Sequence, residues 1–242
     1  MRIGIFSDVH GNLEALLVVL AGLEAEKVER RACLGDLVGY GPDPGACMDL
    51  IRQRADVVLA GNHDHAVLGL TDISLFNPYA RTAVLWTRSQ LTPAETSYLA
   101  GLPVSCSWEG LCLAHSSPCE PAMWHYVFSL EEAETNFHCF REPICFVGHS
   151  HSPAFFVQEE PGRVVCRQAT RLDIEKGKRY LINVGSVGQP RDGDPRAGYL
   201  IYDTDAARIE LKRVAYDVAA TQAKMARAGL PRFLIERLAV GH

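Results

Sequence analysis

The chain has 242 residues, a formal net charge of −5, 48% apolar residues and 22% charged ones, enough to bury a sizeable core as one domain or at most two. With no basic block or stripe, recognition of nucleic acid through its phosphates is not expected, because that needs clustered Lys and Arg; a nucleotide held by metal ions is still allowed. The longest wholly apolar stretch, Ala15 to Leu23, is far too short to span a bilayer.

Met1 to Ser7 reads as a strand that runs into the turn-like Asp8-Val9-His10-Gly11. Leu13, Leu16, Leu17 and Leu20 fall at i, i+3, i+4 and i+7, one face of a helix that Asn12 can cap. A strand near Arg31 to Leu34, a helix near Pro44 to Arg54 and a strand at Val57 to Ala60 complete a βαβαβ pattern of parallel strands. Ligands of such sheets bind beyond the C-terminal strand ends. Asn77 to Gly101 is helical, with a capping box, Thr92-Pro93-Ala94-Glu95, starting a second helix there.

Pro103 to Trp108 and Leu111 to His115 read as a hairpin, and Ser116 to Phe128 as a loop near the site. Ser129-Leu130-Glu131-Glu132 opens a helix to about Asn136. After Pro143 the pattern turns strand-rich through Val214, which predicts a second, mostly antiparallel sheet packed on the first. A helix over Asp217 to Ala228, stopped by Gly229 and Pro231, precedes a short last helix to Val240. No repeat or linker interrupts the chain, and a single domain over 1–242 is the simplest account.

The eight cysteines are scattered, without a Cys-x-x-Cys pair, and most sit in apolar runs. Reduced thiols are therefore expected. With no signal-peptide pattern before Ser7, the expectation is a cytoplasmic protein without membrane contact.

Five apolar runs end on Asp, Asn or His: Ile3 to Phe6 before Asp8 and His10, Cys33-Leu34 before Asp36, Val57 to Ala60 before Asn62, Leu111 to Ala114 before His115, and Cys145 to Val147 before His149 and His151. Each alone is a commonplace turn residue. Together they are a set of hard-metal donors. Two cations roughly 3.5–4 Å apart need an anionic ligand between them, and Asp36 is placed there. Asp8 and His10 can reach one ion, His149 and His151 one ion each, with Asn62 as a neutral oxygen donor and His115 as a further imidazole. His63 is left free to act on substrate as a proton donor, and Asp64 is expected to accept its other N–H. His125, His138 and His242 are read as structural or exposed.

Asp8-Val9-His10, Gly35-Asp36-Leu37-Val38-Gly39, Gly61-Asn62-His63-Asp64, His115 and Gly148-His149-Ser150-His151 jointly resemble the calcineurin-like metallophosphoesterase superfamily. The later Asn183-Val184-Gly185-Ser186-Val187-Gly188-Gln189-Pro190-Arg191 is similar to a stretch of its small bacterial phosphodiesterase and diadenosine-polyphosphate hydrolase-like branch. The resemblance implies an α/β fold, a four-layer α/β/β/α sandwich with two mixed β-sheets flanked by helices. It also implies two divalent metal ions, manganese first, with iron, zinc or nickel as alternatives. One would take Asp8, His10, Asp36 and His151, the other Asp36, Asn62, His115 and His149, with His63 as catalytic acid. Better-known relatives carry a phosphate-holding Arg near the second block, where Gly39-Tyr40-Gly41 stands here. The grip on phosphate is thus expected from metals, His63 and backbone N–H groups.

The expected activity is hydrolysis of a phosphodiester or phosphomonoester by in-line attack of a hydroxide held between the metals, on a small phosphoester or nucleotide. The alternative substrate is a dinucleoside polyphosphate, with Trp124, Tyr126 and Tyr40 stacking on a base, unless those rings simply pack a loop. A binding scaffold that has lost catalysis is the alternative of another class, but such a loss removes the catalytic His or a ligand, and all are present. Structural zinc fails for want of clustered Cys and His. Phe233, Leu234 and Leu238 are candidates for a homo-oligomer contact as well as for core packing.

Overall fold

β1 (Arg2–Phe6) sends Ile3 and Ile5 to one face and Phe6 to the other, as a period of two dictates. The structure is a computed structural model describing residues 1–242. Asn12 accepts from Ala15 N at 3.2 Å and so caps α1 (Leu13–Ala25). Leu16, Val19, Leu20 and Leu23 of that helix are buried, whereas Leu17, expected on the same face, is exposed. β2 (Arg30–Cys33), α2 (Pro44–Arg54) and β3 (Val57–Val58) follow, and β1–β2 and β2–β3 are parallel as the alternation predicted.

Three helices come next: α3 (Asn62–Leu68), α4 (Pro78–Gln90) and α5 (Pro93–Ala100), the last opened by the Thr92–Glu95 box. β4 (Ser105–Trp108) and β5 (Leu111–Ala114) form the expected hairpin. α6 (Leu130–Phe137) begins at the Ser129–Glu132 box, where Glu132 N lies 3.1 Å from Ser129 Oγ. β6 (Ile144–Val147), β7 (Ala154–Glu160), β8 (Arg163–Arg167), β9 (Arg171–Asp173), β10 (Arg179–Asn183), β11 (Ala197–Asp203) and β12 (Arg208–Val214) precede α7 (Val218–Arg227) and α8 (Arg232–Glu236). No helix is long and apolar enough to cross a membrane.

The strands make two six-stranded mixed sheets, ordered β3-β2-β1-β11-β12-β9 and β4-β5-β6-β10-β7-β8. The strands after Pro143 therefore do not form a sheet of their own. β11 runs back antiparallel beside β1, pairing Ile5 with Leu200, and β12 and β9 extend that first sheet. A linear pattern cannot show this, because both sheets need the same alternation.

Ile3, Ile5, Leu34, Leu113, Phe146, Ile182 and Leu200 fill the space between the sheets. α1 and α2 cover the outer face of the first sheet with Leu16, Leu23, Met48 and Ile51. α6 covers the second with Ala133 and Phe137. The result is the four-layer α/β/β/α sandwich. Leu234 and Leu238 are buried against Tyr40, Ala80 and Met225, while Phe233 stays exposed with its ring 4.9 Å from that of Tyr79.

One cysteine expectation is corrected. Cys119 and Cys139 form a disulfide, their Cα atoms 5.2 Å apart, while the other six cysteines are free. They lie on either side of α6, a proximity that no Cys spacing reveals.

A Cβ on Gly4 would collide with Leu23 of α1, so this glycine lets the helix lie close on the sheet. Gly4→Val is expected to lower unfolding free energy by about 1–3 kcal/mol through overpacking. Urea unfolding checks this, and an unchanged midpoint would refute the close approach.

Candidate metal centre

Six loops leave the same edge of the two sheets and are laced by backbone bonds. Asp8 N donates to Gly35 O at 3.0 Å, His10 N to Asp36 O at 2.9 Å, Gly148 N to His115 O at 2.8 Å and Gly188 N to Asp8 O at 2.9 Å. The Asn183–Arg191 segment is thereby part of the frame: Ser186 Oγ also donates to Asp8 O at 2.9 Å. Asp8, His10, Asp36, His149 and His151 all have positive φ, from 50° to 67°. Left-handed backbone at non-glycine residues is uncommon and clusters at functional sites.

The side chains gather as two donor groups, Asp8, His10, Asp36 and His151, and Asp36, His115 and His149, all buried and each within 4.8 Å. Asn62 lies beside the second, its Oδ1 3.3 Å from His115 Nε2. Asp36 belongs to both. Its Oδ2 is 3.5 Å from His10 Nε2 and 3.5 Å from His115 Nε2, and its Oδ1 accepts from His63 N at 2.8 Å. A Cβ on Gly61 would fall on this carboxylate, so the β3–α3 turn must be glycine to come so close.

Each imidazole of the groups has one ring nitrogen on a backbone carbonyl. His10 Nδ1 is 3.1 Å from Val38 O, His115 Nδ1 2.9 Å from Leu34 O, His151 Nδ1 2.6 Å from Gln189 O and His149 Nε2 2.9 Å from Trp124 O. A carbonyl only accepts, so each of these nitrogens carries a proton. On His10, His149 and His151, which burial holds toward the neutral form, the other nitrogen presents a lone pair to the centre, and on His115 it does so once the proton shared with Asp36 is given up. Two such lone pairs face each other, His10 Nε2 and His151 Nε2 at 3.0 Å. Asp8 Oδ1, 3.2 Å from His151 Nε2, is buried without any hydrogen-bond donor. Lone pairs against lone pairs repel, and a divalent cation among them relieves this. Imidazole with carboxylate and amide oxygen suits Mn, Fe, Zn or Ni. The residues fit a metal.

Burial opposes every charge here. Burial would raise the Asp8 and Asp36 carboxyls, yet neighbouring imidazoles, His151 for Asp8 and His115 for Asp36, hold both below the usual carboxylate range. Burial pushes His63 down to about 4 and His149 to about 3. It also acts to lower His115, but the Asp36 charge outweighs it and raises that ring to about 9. Asp64 rises to about 7 through burial and then the Asp36 charge.

The expected His63–Asp64 pair does not form. Asp64 accepts from Gly61 N at 2.9 Å and from Leu37 N and Val38 N at 3.0 and 3.2 Å, pinning the Asp36 loop, while His63 Nδ1 is buried without a partner. The reason is that Asn62–Leu68 is a helix, not an extended strand end, so consecutive residues point apart. His63 lines a cleft of about 560 Å³ with Tyr40, Asn62, Phe76, Trp124, Tyr126 and His149. The carbonyls of Leu34, Val38, Trp124 and Gln189 escape sequence reasoning, since a backbone atom has no side-chain signature. Tyr126, whose ring stacks on His149 at 4.1 Å, is seen only as a loop aromatic. His125 is exposed, as expected.

Residues 1–207 match the family described as the calcineurin-like phosphoesterase superfamily domain. An uncharacterized protein of Methanocaldococcus jannaschii is 37% identical over 243 residues, spanning 99% of this chain and 98% of its own. A metallophosphoesterase from Sphaerobacter thermophilus has a similar crystal structure, with a TM-score of 0.88 and 44% identity over 100% of this chain and 99% of that one. A hypothetical protein from Pyrococcus horikoshii shares the fold at a TM-score of 0.81, with 17% identity over 100% and 98% of the two chains.

The shifted groups make the metal-stripped protein sensitive to pH on both sides of neutrality. Below about 6.5 the unfolded chain binds protons that His63 and His149 refuse, so stability falls on acidification, partly offset by Asp64, which binds a proton more readily when folded. Above neutrality the sign reverses: His115 keeps its proton up to about 9 only when folded, and that contribution disappears as pH rises through this value. Each uncompensated proton gives a slope of about 1.4 kcal/mol per pH unit. Urea unfolding of chelator-treated protein should therefore give a maximum near pH 7, and a stability that rises steadily to pH 9 would contradict it.

Proposed function

Because the chain belongs to the calcineurin-like phosphoesterase superfamily, we propose that it is a phosphoester hydrolase working with two divalent ions, manganese first, on a small phosphodiester or phosphomonoester. The observation that carries this reading is the membership of Asp36 in both donor groups. Asp8, His10, Asp36 and His151 would hold one ion, and Asp36, Asn62, His115 and His149 the other. Bound there, the ions supply Lewis-acid polarisation of the phosphoryl oxygens and lower the pKa of attacking water.

The protein's own side chains do the rest. Val38, Leu34, Gln189 and Trp124 carbonyls hold the four imidazoles in register before any substrate arrives. His63 lines the cleft and donates a proton to the departing oxygen. In the protein alone burial keeps this ring neutral at pH 7, and an anionic phosphoester beside it adds the negative charge that raises its pKa. Asp64 acts at one remove, through the backbone of Gly61, Leu37 and Val38.

A second reading, hydrolysis of a dinucleoside polyphosphate, draws support from the aromatic lining of the cleft, Tyr40, Phe76, Trp124 and Tyr126. Base–aromatic stacking contributes on the order of 1–3 kcal/mol per base.

Asp36→Asn should abolish metal content and turnover together, read by elemental analysis and by hydrolysis of bis-p-nitrophenyl phosphate with manganese. His63→Ala should retain both ions and lose about 10²–10⁴ in kcat; full turnover would remove His63 from its role. Diadenosine tetraphosphate in the same panel separates the two substrate readings. Metal-loaded protein inert on every phosphoester would overturn both.

A further inference from the structure

No Arg stands in Gly35 to Gly41, but Arg191 comes to the Tyr40 ring from the loop after β10. Arg191 is half-buried, and the structure gives it no carboxylate partner. Its neighbours Asp192 and Asp194 are engaged with Arg213 and Arg196 instead. Arg191 is registered to the centre twice over. Its backbone N–H donates to His151 O at 3.2 Å, and its Nη2 donates to Gln189 Oε1 at 2.8 Å, while the Gln189 carbonyl holds the His151 ring. The guanidinium Cζ lies 5.5 Å from the ring centre of Tyr40, and that ring is 4.7 Å from His10 and 4.4 Å from His63.

A second arginine joins it. Arg237 packs its Cζ 5.3 Å from the Phe233 ring and donates to the main-chain oxygen of His242, and the next residue, Leu238, is buried in the same cluster as Tyr40. Burial first, and then the Arg191 charge, push Arg237 down to about 10, with Tyr40 acting the other way. Like charges that are partly desolvated on one side of a site repel each other, and an added anion offsets this. Guanidinium forks are suited to phosphate, which they bind through paired N–H donors.

Resting on the phosphoester reading above, we propose that Arg191, over the Tyr40 ring beside the metal centre, and Arg237, next to the Leu238 that packs in the Tyr40 cluster, form an anion subsite for a second phosphate group of the substrate. The preferred substrates then carry linked phosphates, as in nucleoside di- and polyphosphates, rather than an isolated phosphoester. The cleft holds the group bearing the phosphates, the donor groups the reacting phosphorus, and the arginines the neighbouring phosphate.

The test compares ADP with AMP, which differ by one phosphate and share the base. Calorimetry on manganese-loaded protein at matched free manganese should show ADP binding tighter by about tenfold to a hundredfold, as expected for a charge-assisted contact. Arg191→Ala and Arg237→Ala should each reduce that ratio to within about threefold, and Arg191→Lys, which keeps charge without the fork, should restore part of it. The same variants should lower the ratio of kcat/KM for diadenosine tetraphosphate to that for bis-p-nitrophenyl phosphate, mainly through KM. Equal binding of ADP and AMP by the wild type, or a ratio that survives in both alanine variants, would overturn the subsite. Absence of turnover with the binding ratio intact would instead sink the phosphoester reading, so the two failures are distinguishable.

Discussion

Two buried carboxylates, Asp8 and Asp36, share one pocket with the buried imidazoles of His10, His115, His149 and His151. Taking an ionised carboxylate out of water costs several kcal/mol unless a partner compensates it. Here His10, His149 and His151 turn lone pairs, not protons, toward the centre, because their other nitrogens are committed to backbone carbonyls, and only His115 holds a proton against Asp36. The protein thus builds a cavity of negative potential whose natural complement is a cation. Asp36 sits where the two donor groups meet, so whatever holds Asp36 in place holds both.

What holds it is mostly backbone. Gly61 approaches so closely that no side chain fits, Asp64 bonds the amides on either side of the turn, and the loops after β1, β2, β5 and β6 exchange bonds with one another. Several donors stand in left-handed conformation, each costing about 1–3 kcal/mol. The sandwich can bear this strain because its core layers are built from Ile, Leu, Val and Phe that have no part in the site. Rigid sheets below and strained, cross-tied loops above are the division of labour that preorganises such a centre.

The surroundings shape what the centre can accept. One side of the cleft is aromatic, with Trp124 fixing His149 through its carbonyl and Tyr126 stacked on the same ring. Arg191 stands at Tyr40, and Leu238, the residue after Arg237, packs in the cluster that holds that ring. These features come from segments far apart in the chain, the loop before α6, the turn after β10 and the last helical turn, and they meet only because both sheets end at one edge. The Cys119–Cys139 disulfide ties the aromatic loop to the end of α6, so that loop is anchored as well as packed.

The sequence alone determined the donors and the fold class. Strand, turn and ligand type recur together after β1, β2, β3, β5 and β6, and a parallel sheet delivers such ends to one side whatever the details of packing. Helix starts were legible where a local bond writes them, as at Asn12, Thr92 and Ser129. Only the tertiary structure decided that β11 and β12 complete the first sheet, since strands of either sheet carry the same alternation. The short helix α3, which parts Asp64 from His63, the carbonyl that orients each imidazole and the pairing of Cys119 with Cys139 were decided there as well. So was Arg191, whose nearest partners in sequence say nothing of Tyr40. Each of these depends on contacts between residues tens or hundreds of positions apart, and a linear pattern records only what neighbours along the chain require of one another.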